Sequence, residues 1–144
     1  MYRMSSSTHK DLGSSIQKLL RPLYEMPDVS GVPYARYLEW RDDDCDFQAG
    51  ILLRNRVPQT ETACVDLYAA CTAVHIEYRG TYEGLSQAHR VCREYLKAHG
   101  LTQGGPAWEV FDGPPDESGI AKVLVYWPVQ LSLRADLLET TDHP

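Results

Sequence analysis

The sequence predicts an α+β domain made of duplicated β-α-β-β units, with antiparallel sheets and a pseudo-two-fold cleft between the units. Two amphipathic helical stripes, one in each half, and the pair of strand-like runs that follows each stripe carry this reading. An internal offset supports them. Sliding the chain by 73 positions sets Thr8 on Thr81, Leu12 on Leu85, Leu23 on Leu96, Gly31 on Gly104 and Pro33 on Pro106. These coincidences fall at helix starts, on helix core faces and at the turn before a strand. The implied organisation is one domain over 1–144: a first repeat at about 1–56, a linker at about 57–63, a second repeat at about 64–130 and a C-terminal tail at about 131–144. A chain of this length buries about 68–70% of its unfolded surface, enough for a core without covalent staples.

The elements follow in chain order. Only Met1 to Ser7 precede the first helical segment, so a leading strand is expected to be short or absent. An incomplete sheet edge invites pairing with another chain, and a homodimer is expected on that ground. Thr8-His9-Lys10-Asp11 has the character of a capping box, with Asp in place of Glu. Leu12, Ile16, Leu19, Leu20 and Leu23 form the apolar stripe of a helix near 9–24. Pro22 lacks the N–H that the helix ladder uses, so this helix should kink or end there. Tyr34 to Trp40 and Gln48 to Leu53 read as strands, joined by the acidic loop Arg41 to Asp46, and Arg56 to Thr62 has the polarity of a linker.

The second unit is clearer. Thr72 to Tyr78 is β-branched and aromatic, hence a strand. Thr81 offers its hydroxyl as the N-cap of a helix near 82–99. Leu85, Ala88, Cys92, Tyr95 and Leu96 take the inner face of this helix, and Arg90, Arg93, Glu94 and Lys97 the outer one. Gly100 suits the left-handed position just past the helix end. Gly104-Gly105-Pro106 turns the chain into strands at about 106–112 and 121–127, split by the loop Gly113 to Glu117. Each sheet then needs its free face covered. Packing the two units about the pseudo-two-fold axis would cover it and leave a cleft, a usual place for a ligand.

Composition removes several function classes. The net charge of −6 opposes the basic face that nucleic acid requires, so no direct nucleic-acid binding is expected. Cys45, Cys64, Cys71 and Cys92 show neither a CxxC pair nor zinc spacing, and they read as reduced thiols of a cytoplasmic protein. The first ten residues lack the apolar stretch of a signal peptide, and no apolar run approaches the ~18 residues of a membrane span, so no membrane partner is expected. Neither a metal nor a cofactor is expected. The five histidines do not cluster, and Asp42 to Asp46 lacks the spaced ligands and closing Glu of a calcium loop. The Gly-Gly-Pro turn precedes a strand rather than a helix, so it is not a phosphate loop.

Glu109 is the candidate functional residue. It sits in a strand between Trp108 and Val110, where it is either a solvated acid or a pocket acid. A carboxylate held among aromatics is poorly solvated and gains from a cationic ligand, or acts as a general base on water. Strand alternation puts Ala107, Glu109 and Phe111 on one face and Trp108 and Val110 on the other, so Glu109 and Trp108 share a cleft only if the strand twists or bulges. Most of the aromatics serve the core. Those proposed to stack on a planar ligand are Tyr37, Tyr78, Trp108 and Trp127.

Several segments in order resemble one family. Tyr78-Arg79-Gly80-Thr81-Tyr82, Gly105-Pro106-Ala107-Trp108-Glu109-Val110-Phe111 and Pro128-Val129 are similar to motifs in the second repeat of the GyrI-like effector-binding family, also found as the ligand domain of AraC- and MerR-type regulators. Asp46-Phe47-Gln48-Ala49-Gly50 resembles the strand that closes that family's first repeat. The likeness spans roughly 8–130. Tyr78 and Thr81 depart from it, standing where His and Pro are common. No helix-turn-helix is read in the chain, so it resembles a free-standing member. The resemblance implies that a lipophilic small molecule, cationic or aromatic, is bound between the repeats by Glu109, Trp108, Phe111, Tyr37, Tyr78, Tyr82 and Trp127, in a sequestering, resistance or sensing role. Two alternatives come with the family. One is a hydrolase opening cyclopropane-type electrophiles, with Glu109 as general base and Tyr78 or Tyr82 as its hydroxyl partner. The other is a protein-binding modulator of gyrase type. A distant relative of the same architecture binds haem.

Overall fold

The structure is a computed structural model, and it describes residues 1–8, 11–26, 31–53, 64, 68 and 71–130. Strand β1 (Tyr2–Thr8) leads into helix α1 (Leu12–Tyr24), followed by β2 (Gly31–Trp40) and β3 (Asp44–Leu53). Strand β4 (Ala73–Gly80) opens the second half. A single 3₁₀ turn, Tyr82–Gly84, runs straight into α2 (Leu85–Ala98), and β5 (Thr102–Gln103), β6 (Ala107–Phe111) and β7 (Ala121–Gln130) complete the order. The described strands form one antiparallel sheet in the order β1-β3-β2-β6-β7-β4, with the short β5 paired to the end of β7. With β5 set aside, the strands of each half lie in the same sequence, first, third, second, counted inward from the edge.

The two halves meet edge to edge. Strands β2 and β6 pair across the middle of the sheet, with Ala35 opposite Glu109 and Tyr37 opposite Ala107. The expectation of separate sheets, packed to cover each other's free face, is therefore corrected. Joining the inner edges satisfies backbone N–H and C=O groups that two separate sheets would leave unpaired. Both helices then share one face of one sheet. Ile16, Leu20 and Leu23 of α1 join Leu85, Ala88, Cys92 and Leu96 of α2 in a single core with Ala35, Phe47, Ala49, Val123 and Val125. Fully burying a side chain such as Leu20, Leu23 or Phe47 stabilises by roughly 1.5–3 kcal/mol each.

Several local expectations change. Strand β1 is complete rather than truncated: it pairs with β3 from Tyr2 opposite Gly50 to Thr8 opposite Asp44. Its serine run has low strand propensity, but the ladder to β3 and the burial of Met1 and Ser7 hold it. Helix α1 continues two residues past Pro22, whose missing hydrogen bond falls in the last turn, while fully buried Leu23 docks that turn on the sheet. It begins at Leu12, although Thr8 and Asp11 do contact: the Thr8 hydroxyl donates to Asp11 Oδ2 at 3.0 Å, and the Asp11 N–H reaches Thr8 Oγ1 at 3.3 Å. The Thr81 hydroxyl caps nothing, although its backbone is extended as a cap requires.

The acidic loop shrinks to a turn, and β3 starts at Asp44. Arg41 neutralises the acids that enter the strand, lying 2.6 Å from both Asp44 and Asp46. Tyr95 turns outward and stacks on His99 instead of entering the core. Gly100 adopts φ +62°, with Leu101 N–H returning to Leu96 O and Gly100 N–H to Lys97 O, a Schellman end for α2. The proposed linker and the C-terminal tail lie outside the described residues.

Candidate functional site

A cavity of about 670 Å³ opens on the helical face of the sheet. One wall is the first turns of α1, with Leu12, Ile16 and Gln17. The other is the 3₁₀ turn and the start of α2, with Tyr82, Glu83, Leu85 and Ser86. Tyr37, Glu109 and Phe111 form the floor where β2 meets β6. The two helices begin 73 positions apart, at Leu12 and Leu85, so the same part of each half faces the space.

Glu109 is buried, with only 3% of its surface exposed. The register puts it there. Ala35 and Glu109 are directly opposed and point to the same face, the one the helices cover. Oε1 accepts a short hydrogen bond from the Tyr37 hydroxyl. Oε2 lies 2.6 Å from Nε2 of His89, which α2 drops onto the sheet one turn after Leu85. Nδ1 of the same imidazole accepts the indole N–H of Trp127 at 3.0 Å, and Trp127 stands on the neighbouring strand β7. Burial, and after it the Glu109 charge, pushes the Tyr37 phenol well above its usual range. The same causes, in the same order, raise Tyr82. Among the described residues no lysine or arginine pairs with Glu109. Among the described residues the lining carries two acids, Glu109 and Glu83, and no lysine or arginine. Each helix N-terminus contributes only about half a positive charge, fading within the first turn, so acids outweigh positive charge in the described lining.

The structure separates the residues singled out from sequence. Glu109, Tyr37, Phe111 and Tyr82 meet in the cavity. Trp127 lies behind His89, away from the wall. Trp108 does not reach the cleft: β6 neither twists nor bulges enough to bring it round. It packs on the opposite sheet face, where the Arg36 guanidinium sits 4.4 Å from its ring and 4.5 Å from that of Tyr68. Tyr78 is also displaced from the role proposed for it. Its ring lies against Gly80 and Gly84, and its hydroxyl donates to Thr81 O at 2.6 Å, pinning the turn into α2. Sequence reasoning missed His89. The signal was present, since position 89 is four after Leu85 and three before Cys92 and so falls on the buried stripe. The α1 wall was also missed, because it comes from the other half of the chain.

Fold and site together define an α+β domain that holds a buried carboxylate beneath two helix starts. No protein-family model matches the chain, and no curated protein matches it in sequence. Solved structures do match in shape. The chain is similar to the crystal structure of the EcmrR C-terminal domain, with a TM-score of 0.66 and 14% identity over 90% of this chain and 97% of that one. It is also similar to EcmrR in the cryo-EM structure of its DNA complex, with a TM-score of 0.72 and 15% identity over 90% of this chain. It spans 57% of the EcmrR chain in that complex. At this identity the likeness establishes the fold. No described helix is long and apolar enough to cross a membrane.

Proposed function

We propose that the protein is an effector-binding domain of GyrI-like type that takes a lipophilic, cationic aromatic small molecule into the cavity between α1 and α2. The observation that carries this reading is Glu109: a buried carboxylate, facing a cavity, with no lysine or arginine among the described residues to balance it. Such a charge is costly to bury unless something compensates it, and an entering cation does so. The apolar and aromatic lining of Leu12, Ile16, Tyr82 and Phe111 suits a flat apolar body carrying that charge. The fold shared with the EcmrR C-terminal domain is compatible with this role. Sequestration, resistance or sensing in the cytoplasm follows as its biological setting.

The test is calorimetric titration with tetraphenylphosphonium and, as a neutral control, naphthalene. Glu109→Gln should weaken tetraphenylphosphonium by about tenfold or more and leave naphthalene unchanged. Equal loss for both probes, or no binding of either by the wild type, would sink the reading.

A second reading is favoured by the donors on Glu109. Tyr37 and His89 each engage one carboxylate oxygen, and a carboxylate has lone pairs to spare for water. Glu109 would then act as a general base against a cyclopropane-type electrophile, with Tyr82, the hydroxyl candidate that lines the cavity, as its partner. Incubation with a cyclopropane-bearing alkylating compound should give the water adduct by mass spectrometry. Unchanged compound at stoichiometric protein counts against it.

The halves are further read as a structural repeat. Support comes from the helix starts and from the central register. The same offset of 73 exchanges the pair Tyr34–Val110 with the pair Tyr37–Ala107 across the sheet centre. The dimer proposal changes its basis, because β1 is complete. It now rests on β1 and β4 as outer edges, of which β1 is bridged at Tyr2 by Cys64.

A further inference from the structure

The cavity's charge depends on two residues that do not line it. Indole nitrogen can only donate a hydrogen bond, so the 3.0 Å contact from Trp127 Nε1 makes His89 Nδ1 an acceptor, without a hydrogen of its own. A histidine with a bare Nδ1 carries its hydrogen on Nε2, the nitrogen 2.6 Å from Glu109 Oε2. The imidazole in this arrangement is neutral. An imidazolium would set an N–H on Nδ1 against the indole N–H, donor to donor. A protonated Glu109 donating to Nε2 would leave the ring with no hydrogen at all. The contact that geometry alone would class as an ion pair is thus a neutral donor on a carboxylate. The other charged and titratable groups around the ring do not alter this. Tyr37 stands edge-on at 5.7 Å and itself donates to Glu109, and the Arg93 guanidinium sits over the Trp127 ring, 5.7 Å from its centroid.

We propose that Trp127 and His89 are positioning residues of the cavity: the indole N–H locks the imidazole as its neutral Nε2–H tautomer, which orients Glu109 without cancelling its charge. This deepens the reading of the cavity as a cation site and rests on it only for the ligand consequence. The relay joins three elements, β7, α2 and β6, so it also couples the docking of α2 to the orientation of the carboxylate.

The tautomer is read directly in the full chain by a long-range proton–nitrogen correlation spectrum of isotope-labelled protein at neutral pH, with the His89 signals assigned by their loss in His89→Gln. The wild type should show one hydrogen-free nitrogen, Nδ1, and one hydrogen-bearing nitrogen, Nε2. Trp127→Phe keeps a ring in the site and removes the donor, so the pattern should change to averaged or doubly protonated nitrogens. Tetraphenylphosphonium affinity should then fall by about tenfold while naphthalene holds. His89→Gln keeps a neutral donor toward Glu109 and should recover most of the affinity that His89→Leu loses. That pair of variants decides the matter if Trp127→Phe fails to give a cooperative melt. A wild-type His89 with hydrogen on Nδ1, or on both nitrogens, overturns the proposal. So does a Trp127→Phe spectrum identical to wild type. The expected spectra together with no tetraphenylphosphonium binding by the wild type would support the relay and overturn the cation reading instead.

Discussion

At the scale of the residue, the molecule is shaped by polar groups held where water does not reach. Tyr37 and Tyr34 lie on opposite faces of β2, and both phenols are pushed well above the ordinary value of 10.0, chiefly by burial. After burial, the Glu109 charge acts on Tyr37 and the hydrogen bond to Tyr68 on Tyr34. A phenol that ionises later folded than unfolded contributes stability that is complete below the unfolded value and lost as pH climbs above it. Raising pH past about 10 should therefore lower the thermal midpoint, and the phenolate absorbance of these two tyrosines should appear only together with loss of the folded circular-dichroism signal. Phenolate formation by all tyrosines before unfolding would contradict this. Asp46 behaves in the opposite sense. Arg41, and then Ser6, hold it down to about 2, so its contribution is present at neutral pH and fades only in strong acid. Glu109 stands out in the sequence as an acid between Trp108 and Val110, but its partners do not, since Tyr37 and His89 are far from it in the chain.

Elements are set mostly by local chemistry, and deviate where packing overrides it. Helix α2 is stopped by Gly100, whose φ of +62° and Schellman bonds leave little freedom to another residue. Gly100→Ala should cost about 1–2 kcal/mol, read as a shift of the urea midpoint with an unchanged slope. A cost near zero would mean that the end of α2 refolds into another turn. This glycine was legible in the sequence because a left-handed backbone is a local demand. Pro22 and β1 were misjudged for the converse reason. A proline in a last helical turn is tolerated when its neighbour Leu23 is fully buried. A serine-rich strand persists when a full ladder to β3 holds it.

At the scale of the whole molecule, the sheet makes the two halves one cooperative body. Strands β2 and β6 pair at the centre, and both helices close over one hydrophobic core. Heating should give a single transition, with calorimetric and van't Hoff enthalpies equal. Two resolved transitions would show that the halves unfold independently. A ligand in the cavity contacts α1, α2 and both central strands, so it should raise that one midpoint without splitting it. The outer edges, β1 and β4, remain the surfaces on which a second copy would add strands. Sedimentation giving a monomer at high protein concentration would remove the dimer proposal.

The sequence by itself determined the α+β class, the two helices and their inner stripes, the strand pairs after them, and the alternation that parts Glu109 from Trp108. These follow from periodicity and from residues whose backbone preferences act over a few positions. Tertiary structure alone decided that the halves join edge to edge, that β1 is a full strand, and that Tyr78 leaves the cavity. It also brought His89 and Tyr37 onto one carboxylate. Those outcomes depend on strand register and on contacts between residues dozens of positions apart. A period of two or of 3.6 says which face a side chain takes, but not what another part of the chain will bring to meet it.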